Sequence, residues 1–493
     1  MFKQKLINAF ELSGLTWFIP IIKLLSGENP KEQGAEILRM LGLPIIALSA
    51  FFFTWGYLST KIQTSVGKLP SPVFVWNQSK AMIANYRVEL YKKAQYEKFE
   101  AIRSSIAMQM DKNVNSPEIQ SLLKDIDGVK TKFSDESEKL NEQIAIGKEA
   151  HEASVSAVKE KYNKPEFYVT SDDGQPLKDM DGNPQLNREA VDEINLASEQ
   201  KYMVYEMGLV QVLNDFSSSY GSLASRVSKV QKYQNEIDEL TATGGDEKKL
   251  AKAEKRKQTF LKLIRKETAY SGNGSIIDYI KLSIITVLFG FAIAATVAIP
   301  LGIICGLSTS FMTAINPLIQ VFRPVSPLAW VLITIQIVDG IFVGDLALEG
   351  DVFKNTFLHA GITVALCSMW ATLSNTALGV SSIDTDYMNV AKVLKLNWFD
   401  RLFKIIIPAA IPFIFTGLRI TLGVGWMVLI VSEMMATSRG LGWYIDQQYQ
   451  NNKVESLANI IVCIFIIGLV GACLDRIMYT LQRFVSFNDE VSA

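Results

Sequence analysis

The reading of the fold starts from Asp384-Thr385-Asp386-Tyr387-Met388-Asn389-Val390-Ala391-Lys392-Val393-Leu394-Lys395, followed after nine residues by Ile405-Ile406-Ile407-Pro408. This stretch lies between two runs apolar enough to cross a bilayer. Side-chain oxygens at Asp384, Thr385 and Asp386 suit the free amides of a helix start, so a short helix is expected from there. Tyr387, Val390, Ala391 and Leu394 fall at i, i+3, i+4 and i+7 and make one narrow apolar face. Asn397 is placed to cap a second short helix, in which Trp398, Phe399, Leu402, Phe403 and Ile406 lie opposite Arg401 and Lys404. On the residues alone, the stretch is either a docking element or an amphipathic linker.

Around it, the 493 residues carry 49 Lys and Arg against 50 Asp and Glu, a net charge of −1. That balance points to no nucleic acid or other polyanionic partner. The average hides a division, because roughly 30 of the 49 basic residues lie between 80 and 266. The remainder is mostly apolar, and about 20 apolar residues suffice to span a bilayer as a helix. Six spans are expected, at 41–58, 276–304, 318–338, 357–378, 411–432 and 457–474. Residues 6–25, broken by Glu11, Pro20 and Lys23, read as an interfacial helix rather than a cleaved secretory signal. Cys305, Cys367, Cys463 and Cys473 fall in or beside apolar runs with no disulfide or metal spacing, so they are expected as packing residues.

Lys392, Lys395, Arg401 and Lys404 in the 384–408 loop, with basic residues in both tails, contrast with the acidic 339–351 loop. The positive-inside rule then places both termini and the 384–408 loop in the cytoplasm. The polar region 77–274 lies outside the cytoplasm by the same rule. It is rich in Glu, Lys, Ala, Gln and Leu and predicts long helices at 88–110, 117–162, 188–216 and 247–270, as a coiled-coil hairpin or a small bundle. Asp-Gly and Gly-Asn pairs mark a small hairpin near 167–184. Its acids lack the spacing of a calcium loop.

The 384–408 stretch resembles the EAA signature of bacterial ABC importer permeases, which reads Glu-Ala-Ala, three residues, Gly, nine residues, Ile-x-Leu-Pro. Ala391, Ile405 and Pro408 match it, and Ile407 stands for Leu. Asn389, Val390 and Lys395 replace Glu, Ala and Gly. The lost glycine would have taken a left-handed turn at low cost, and Asn397 is the candidate to turn the chain instead. Further stretches are similar to the nitrate/sulfonate/taurine/bicarbonate branch: Leu69-Pro70-Ser71-Pro72, Arg323-Pro324-Val325-Ser326-Pro327-Leu328-Ala329-Trp330, Thr416-Gly417-Leu418-Arg419, Glu433-Met434 and Gly440-Leu441-Gly442.

The resemblance implies an all-α membrane protein of six transmembrane helices with type I ABC importer permease architecture, plus an inserted extracytoplasmic helical or coiled-coil domain. The expected division is 1–40 (N-terminal segment), 41–76 (first span and outer turn), 77–274 (insertion), 275–487 (five further helices with the loop 384–408) and 488–493 (tail). Asp386, Asn389, Val390, Ala391, Lys395, Ile405, Ile407 and Pro408 are expected to couple to a cytoplasmic ATPase. Arg323, Pro324, Pro327, Trp330, Gly417, Arg419 and Glu433 are the pathway or gating candidates. Pro324 and Pro327 bend the entry to the third span, and Gly417, Gly423 and Gly425 give the fifth a face that another helix can approach closely. Arg419 and Glu433, 14 positions apart and so roughly 21 Å along a helix, cannot pair with each other. Arg419 is left to snorkel, to pair between helices or to attract an anion, and Glu433 to line the outer mouth or pack. His359 is expected as an interface histidine.

The implied partners are cytoplasmic ABC ATPase subunits carrying the ATP and magnesium, an extracytoplasmic substrate-binding protein, a second permease copy in a homodimer, and the lipid bilayer of the inner membrane. This chain itself is expected to be no enzyme and to hold no cofactor or metal, and it has no phosphate-binding GxxxxGK[ST] loop. The cargo would be a small oxyanion such as nitrate, bicarbonate or a sulfonate. Two other readings stay open: an envelope protein that works through its insertion and uses the spans as an anchor, and a channel or ion-coupled carrier. The second should carry acids or histidines inside several spans, which are nearly free of them.

Overall fold

The computed structural model describes residues 19–491 apart from 27–28, 65–66, 172–174, 179–182, 200–202, 245, 267–269, 271–273, 342–354 and 437. The chain forms two compact units, Met1–Val75 with Ile277–Ala493, and Trp76–Ile276. Most of the expected 6–25 helix and of the acidic 339–351 loop falls outside the described residues.

In chain order, α1 (Ile19–Leu25) and α2 (Pro30–Ile37) precede α3 (Leu43–Lys61), with a π turn over Leu38–Gly42 between α2 and α3. Pro44 has no N–H for the preceding turn, and the backbone bonding slips there by one residue. A two-residue antiparallel pair, β1 (Gln63–Thr64) and β2 (Gly67–Lys68), follows. Then come α4 (Pro72–Lys112), α5 (Pro117–Tyr162), α6 (Arg188–Glu199), α7 (Val204–Ala242) and α8 (Glu247–Arg265). The expected single helix over 188–216 is instead two, α6 ending at Glu199 and α7 starting after Met203, whose left-handed backbone, φ 48°, has no place inside a continuous helix. In the stretch read as a hairpin, Val169 N–H donates to Gln185 O at 2.8 Å and Leu177 N–H to Val169 O at 2.8 Å.

Unit Trp76–Ile276 is a helical bundle by its packing. Phe99 and Ile106 of α4, Ile119, Ile126 and Phe133 of α5, Leu213, Tyr220 and Val227 of α7, and Ile264 of α8 share one core. Four helices contribute, so the imperfect heptads close a bundle. Ser116 caps α5, and Arg103 donates to Ile264 O at 2.7 Å and Arg265 O at 3.0 Å, satisfying carbonyls at the end of α8. Burial pushes the Tyr220 hydroxyl up from its ordinary pKa.

The other unit continues with α9 (Ile276–Leu307), α10 (Thr309–Phe322), α11 (Pro327–Ile341), α12 (Asn355–Ser381), α13 (Thr385–Val393), α14 (Trp398–Arg401), α15 (Ile407–Met435), α16 (Leu441–Asn451) and α17 (Val454–Val491). Among the described residues, five helices are long and apolar enough to cross a membrane, or six if one bent pair is a single span. That pair falls on the expected span at 318–338, whose entry Pro324 and Pro327 were expected to bend: α10 and α11 meet at 102°. Pro324 and Pro327 remove two donors and disfavour helix before them, and Ser326 Oγ accepts from Leu328 N–H to start α11 anew. Small residues set the remaining crossings. A Cβ at Gly302 would lie 2.8 Å from Leu373 O and one at Gly306 2.7 Å from Ala377 O, so α9 rests directly on α12.

Candidate functional site

The 384–408 loop is built by backbone bonding. Asp384 Oδ1 accepts from Asp386 N–H at 3.0 Å and opens α13. At its other end, Leu396 N–H donates to Ala391 O at 3.1 Å, and Lys395 lies between them at φ 49°. This is the bond pattern of a left-handed helix stop, with Lys395 in the position glycine favours. The turn expected at Asn397 is therefore at Lys395, because the stop is fixed by where α13 ends. Asn397 has an extended backbone and makes no side-chain cap bond, a second correction. A π turn over Leu402–Ile406 leads into α15, and Pro408 again lacks the N–H that a regular turn would need.

The expected apolar faces do not pack inward as wholes. Ala391 and Ile406 are buried at 2% and 0% exposure, and Ile406 joins Ile303, Val380, Ala410 and Ile414 in a core cluster. Tyr387, Val390, Leu394, Trp398, Phe399 and Phe403 are all exposed. Asp386, Asn389 and Lys395 are exposed beside them, while Ile405, Ile407 and Pro408 are half-buried. Lys404 pairs with Asp400 at 2.7 Å on the surface, worth only a few tenths of a kcal/mol. The loop is thus pinned on one side and shows a row of large apolar side chains on the other.

The pathway candidates do not form one site. Arg323 and Pro324 are exposed at the α10–α11 break. Trp330 packs at 5.7 Å from Phe322, which stacks on Trp370 at 6.0 Å. The indole N–H groups of Trp330 and Trp370 are buried without an acceptor among the described residues. Gly417 lets α15 touch α12, since a Cβ there would lie 2.8 Å from Thr372 Cα. The same crossing is bonded by Thr372 Oγ1 and Thr421 Oγ1 at 2.7 Å and by Thr421 Oγ1 to Ser368 O at 3.0 Å. Gly425 also faces α12, but Gly423 faces open space, so the expected three-glycine face is reduced to two.

The charged candidates are paired or enclosed. Arg419 holds Asp475 of α17 in a two-pronged ion pair, Nε to Oδ1 at 2.5 Å and Nη2 to Oδ2 at 2.7 Å. Of the three roles left open, the structure shows pairing between helices. Glu433 is fully buried. Its carboxylate accepts from Ser283 Oγ at 2.7 Å and from Gly442 N–H at 2.9 Å, and Ser283 Oγ accepts from Leu441 N–H at 2.9 Å. Glu433 therefore ties the end of α15 to α9 and to the first amides of α16, where the helix dipole favours an anion. Gly440 is required because any Cβ there would overlap the Glu433 carboxylate. His359 is buried and bonds Asp339 through Nε2 at 3.1 Å. Asp475 and Ser283 were not singled out by sequence. For Asp475 a signal existed, an acid directly after the last apolar run.

The unit is multi-pass and helical, with one bent pair of apolar helices and a loop whose large apolar side chains are exposed on one side. A family profile described as "Binding-protein-dependent transport system inner membrane component" matches residues 298–487. The nitrate import permease protein NrtB of Synechococcus elongatus is 35% identical over 207 residues, covering 42% of this chain and 69% of that protein. The bicarbonate transport system permease protein CmpB of the same species is 37% identical, covering 42% and 68%. The putative aliphatic sulfonates transport permease protein SsuC of Bacillus subtilis is 31% identical, covering 43% and 70%. The chain belongs to this family of inner-membrane components of binding-protein-dependent transport systems, as an ABC importer permease. It is a multi-pass inner-membrane protein and a transport component, with no enzymatic role.

Proposed function

We propose that this permease imports a small oxyanion of the nitrate, bicarbonate or sulfonate class and is driven through its 384–408 loop by cytoplasmic ATPase subunits that carry the ATP and magnesium. The observation that carries the coupling is the loop itself. Ala391 and Ile406 fix it to the membrane unit while Tyr387, Val390, Leu394, Trp398, Phe399 and Phe403 stay exposed, an apolar patch of the kind that marks a partner surface. Movement of a bound partner would be transmitted through Ile406 to the cluster with Ile303 and Val380, and so to α9 and α12. A broken helix at membrane depth suits a pathway, because irregular backbone is tolerated there only inside protein or beside water. The N–H groups of Trp330 and Trp370 at that break, which have no acceptor among the described residues, are neutral donors suited to a passing oxyanion.

The reading also carries an external substrate-binding protein, a second permease copy and a cytoplasmic position for both termini and the loop. The bundle Trp76–Ile276 would then lie outside the cytoplasm and dock the binding protein. Uptake of labelled nitrate, bicarbonate and taurine by cells with and without the gene tests the cargo. Loss of uptake of one of them is expected, and unchanged uptake of all three would refute the oxyanion reading. The envelope-anchor alternative predicts no ATPase recovered with the protein in mild detergent. Deleting residues 80–270 tests docking, since unchanged uptake and unchanged capture of the binding protein would remove that role.

A further inference from the structure

Helix α8 of the bundle carries a charge pattern that neither the loop nor the break uses. Residues 76–276 as a whole are balanced, with 30 basic and 32 acidic residues, but 246–267 hold nine basic residues against four acidic ones. Lys248, Lys252, Lys255 and Lys262 fall at i, i+4, i+7 and i+14, so they share one face of α8. All four are exposed. The opposite face, with Ala253, Leu261 and Ile264, is buried. Among the described residues α8 makes one ion pair, Arg265 with Asp111, and it lies off the lysine face.

The start of α8 stands clear of the other helices. The turn between α4 and α5 is held to α7 by Gln231 Nε2, which donates to Val114 O at 3.2 Å, and by Asn115 Nδ2, which donates to Asn235 Oδ1 at 3.0 Å. Past that level α7 runs on to Ala242, about 10 Å further at helical rise. There α8 returns beside it, with Arg256 5.9 Å from the Tyr233 ring and Lys257 bonded to Gln234. Lys248, Lys252 and Lys255 therefore lie on a projection made by α7 and α8, on the side turned away from α7.

We propose that this lysine face of α8 is the docking surface for an acidic face of the external substrate-binding protein. The inference rests on the docking reading of the bundle and narrows it to one helix face. Lysine ammonium groups are compact, hydrated point charges. Exposed in a row, they steer an acidic surface into contact and still let it leave, which suits a carrier that must come and go. A membrane surface would need an apolar wedge beside the charges, and the apolar side of α8 is already spent inside the bundle. A phosphate polymer is gripped best by the paired bonds of guanidinium groups, and this face has none.

The test is the association rate of the purified binding protein that restores uptake, measured on full-length permease in nanodiscs. At low salt, Lys252→Glu/Lys255→Glu/Lys262→Glu should slow association about tenfold or more. The matching triple arginine variant should keep the rate. At about 1 M salt, where the Debye length is near 3 Å, the variants should converge with the unaltered protein. If the glutamate variant is not recovered folded, Lys252→Gln/Lys255→Gln should show a smaller loss in the same direction. An unchanged rate in these variants, with capture lost on deleting residues 80–270, would overturn the lysine face and leave the docking reading standing. Capture unchanged by the deletion would remove the docking reading and the lysine face with it. Binding to phosphatidylglycerol vesicles that the glutamate variant loses, with binding-protein association unchanged, would overturn the protein assignment in favour of anionic lipid.

Discussion

In the bundle Trp76–Ile276, Ile106, Ile119, Ile126 and Ile264 are wholly buried, whereas in the membrane unit Phe53, Leu332, Met427 and Leu469 are more than half exposed. The seams of the membrane unit are filled by Gly302, Gly306 and Gly417 and by Thr334, Thr363, Thr372 and Thr421. The solvent explains the inversion. Water drives large apolar side chains together, but lipid tails are as apolar as leucine, so helices there associate through close approach and hydrogen bonds. One chain therefore carries two rules for what a buried residue should be.

The largest effect should come from breaking the second rule. Gly302→Leu or Gly417→Val places carbon against the facing helix, and folded permease should not be recovered by size-exclusion chromatography in detergent. Gly423→Ala, into open space, should leave recovery unchanged. Breaking the first rule is next: Ile119→Ala should destabilise the bundle by about 2–5 kcal/mol. Hydrogen exchange should then accelerate in bundle peptides and stay unchanged in α12 and α15. Glu433→Ala leaves Ser283 and Gly442 without their acceptor and should cost about 1–3 kcal/mol, seen as faster exchange confined to the ends of α15 and α16. The smallest effect is a gain. Lys395→Gly removes a side chain from a left-handed position and should stabilise the loop by roughly 1 kcal/mol, read as a small rise in melting temperature.

The contrast also explains what the sequence made legible. Long apolar runs and Glu- and Lys-rich helices report their solvent directly, so the membrane character of one part and the helical character of the other could be read. The pairing of Arg419 with Asp475 and the enclosure of Glu433 by Ser283, which is 150 residues away, depend on which helices touch. No local pattern encodes that. Lys395 misled for a related reason. Residue preference pointed to Asn397, but the bond from Leu396 to Ala391 fixes the left-handed position by where the helix stops. The amphipathic faces of α13 and α14 were readable as faces, yet periodicity cannot say whether such a face packs within the chain or waits for a partner. Here Ala391 and Ile406 pack, and Val390, Leu394 and Phe399 do not.

Those three exposed residues are where the loop is proposed to join this permease to its ATPase. The most direct measurement is the amount of ATPase subunit recovered with the permease from membranes in mild detergent, comparing the unaltered protein with a Val390→Asp/Leu394→Asp/Phe399→Asp variant and with Lys395→Gly. The triple variant is expected to be recovered folded with its ATPase lost, while Lys395→Gly keeps it. Undiminished ATPase on the triple variant would contradict the claim.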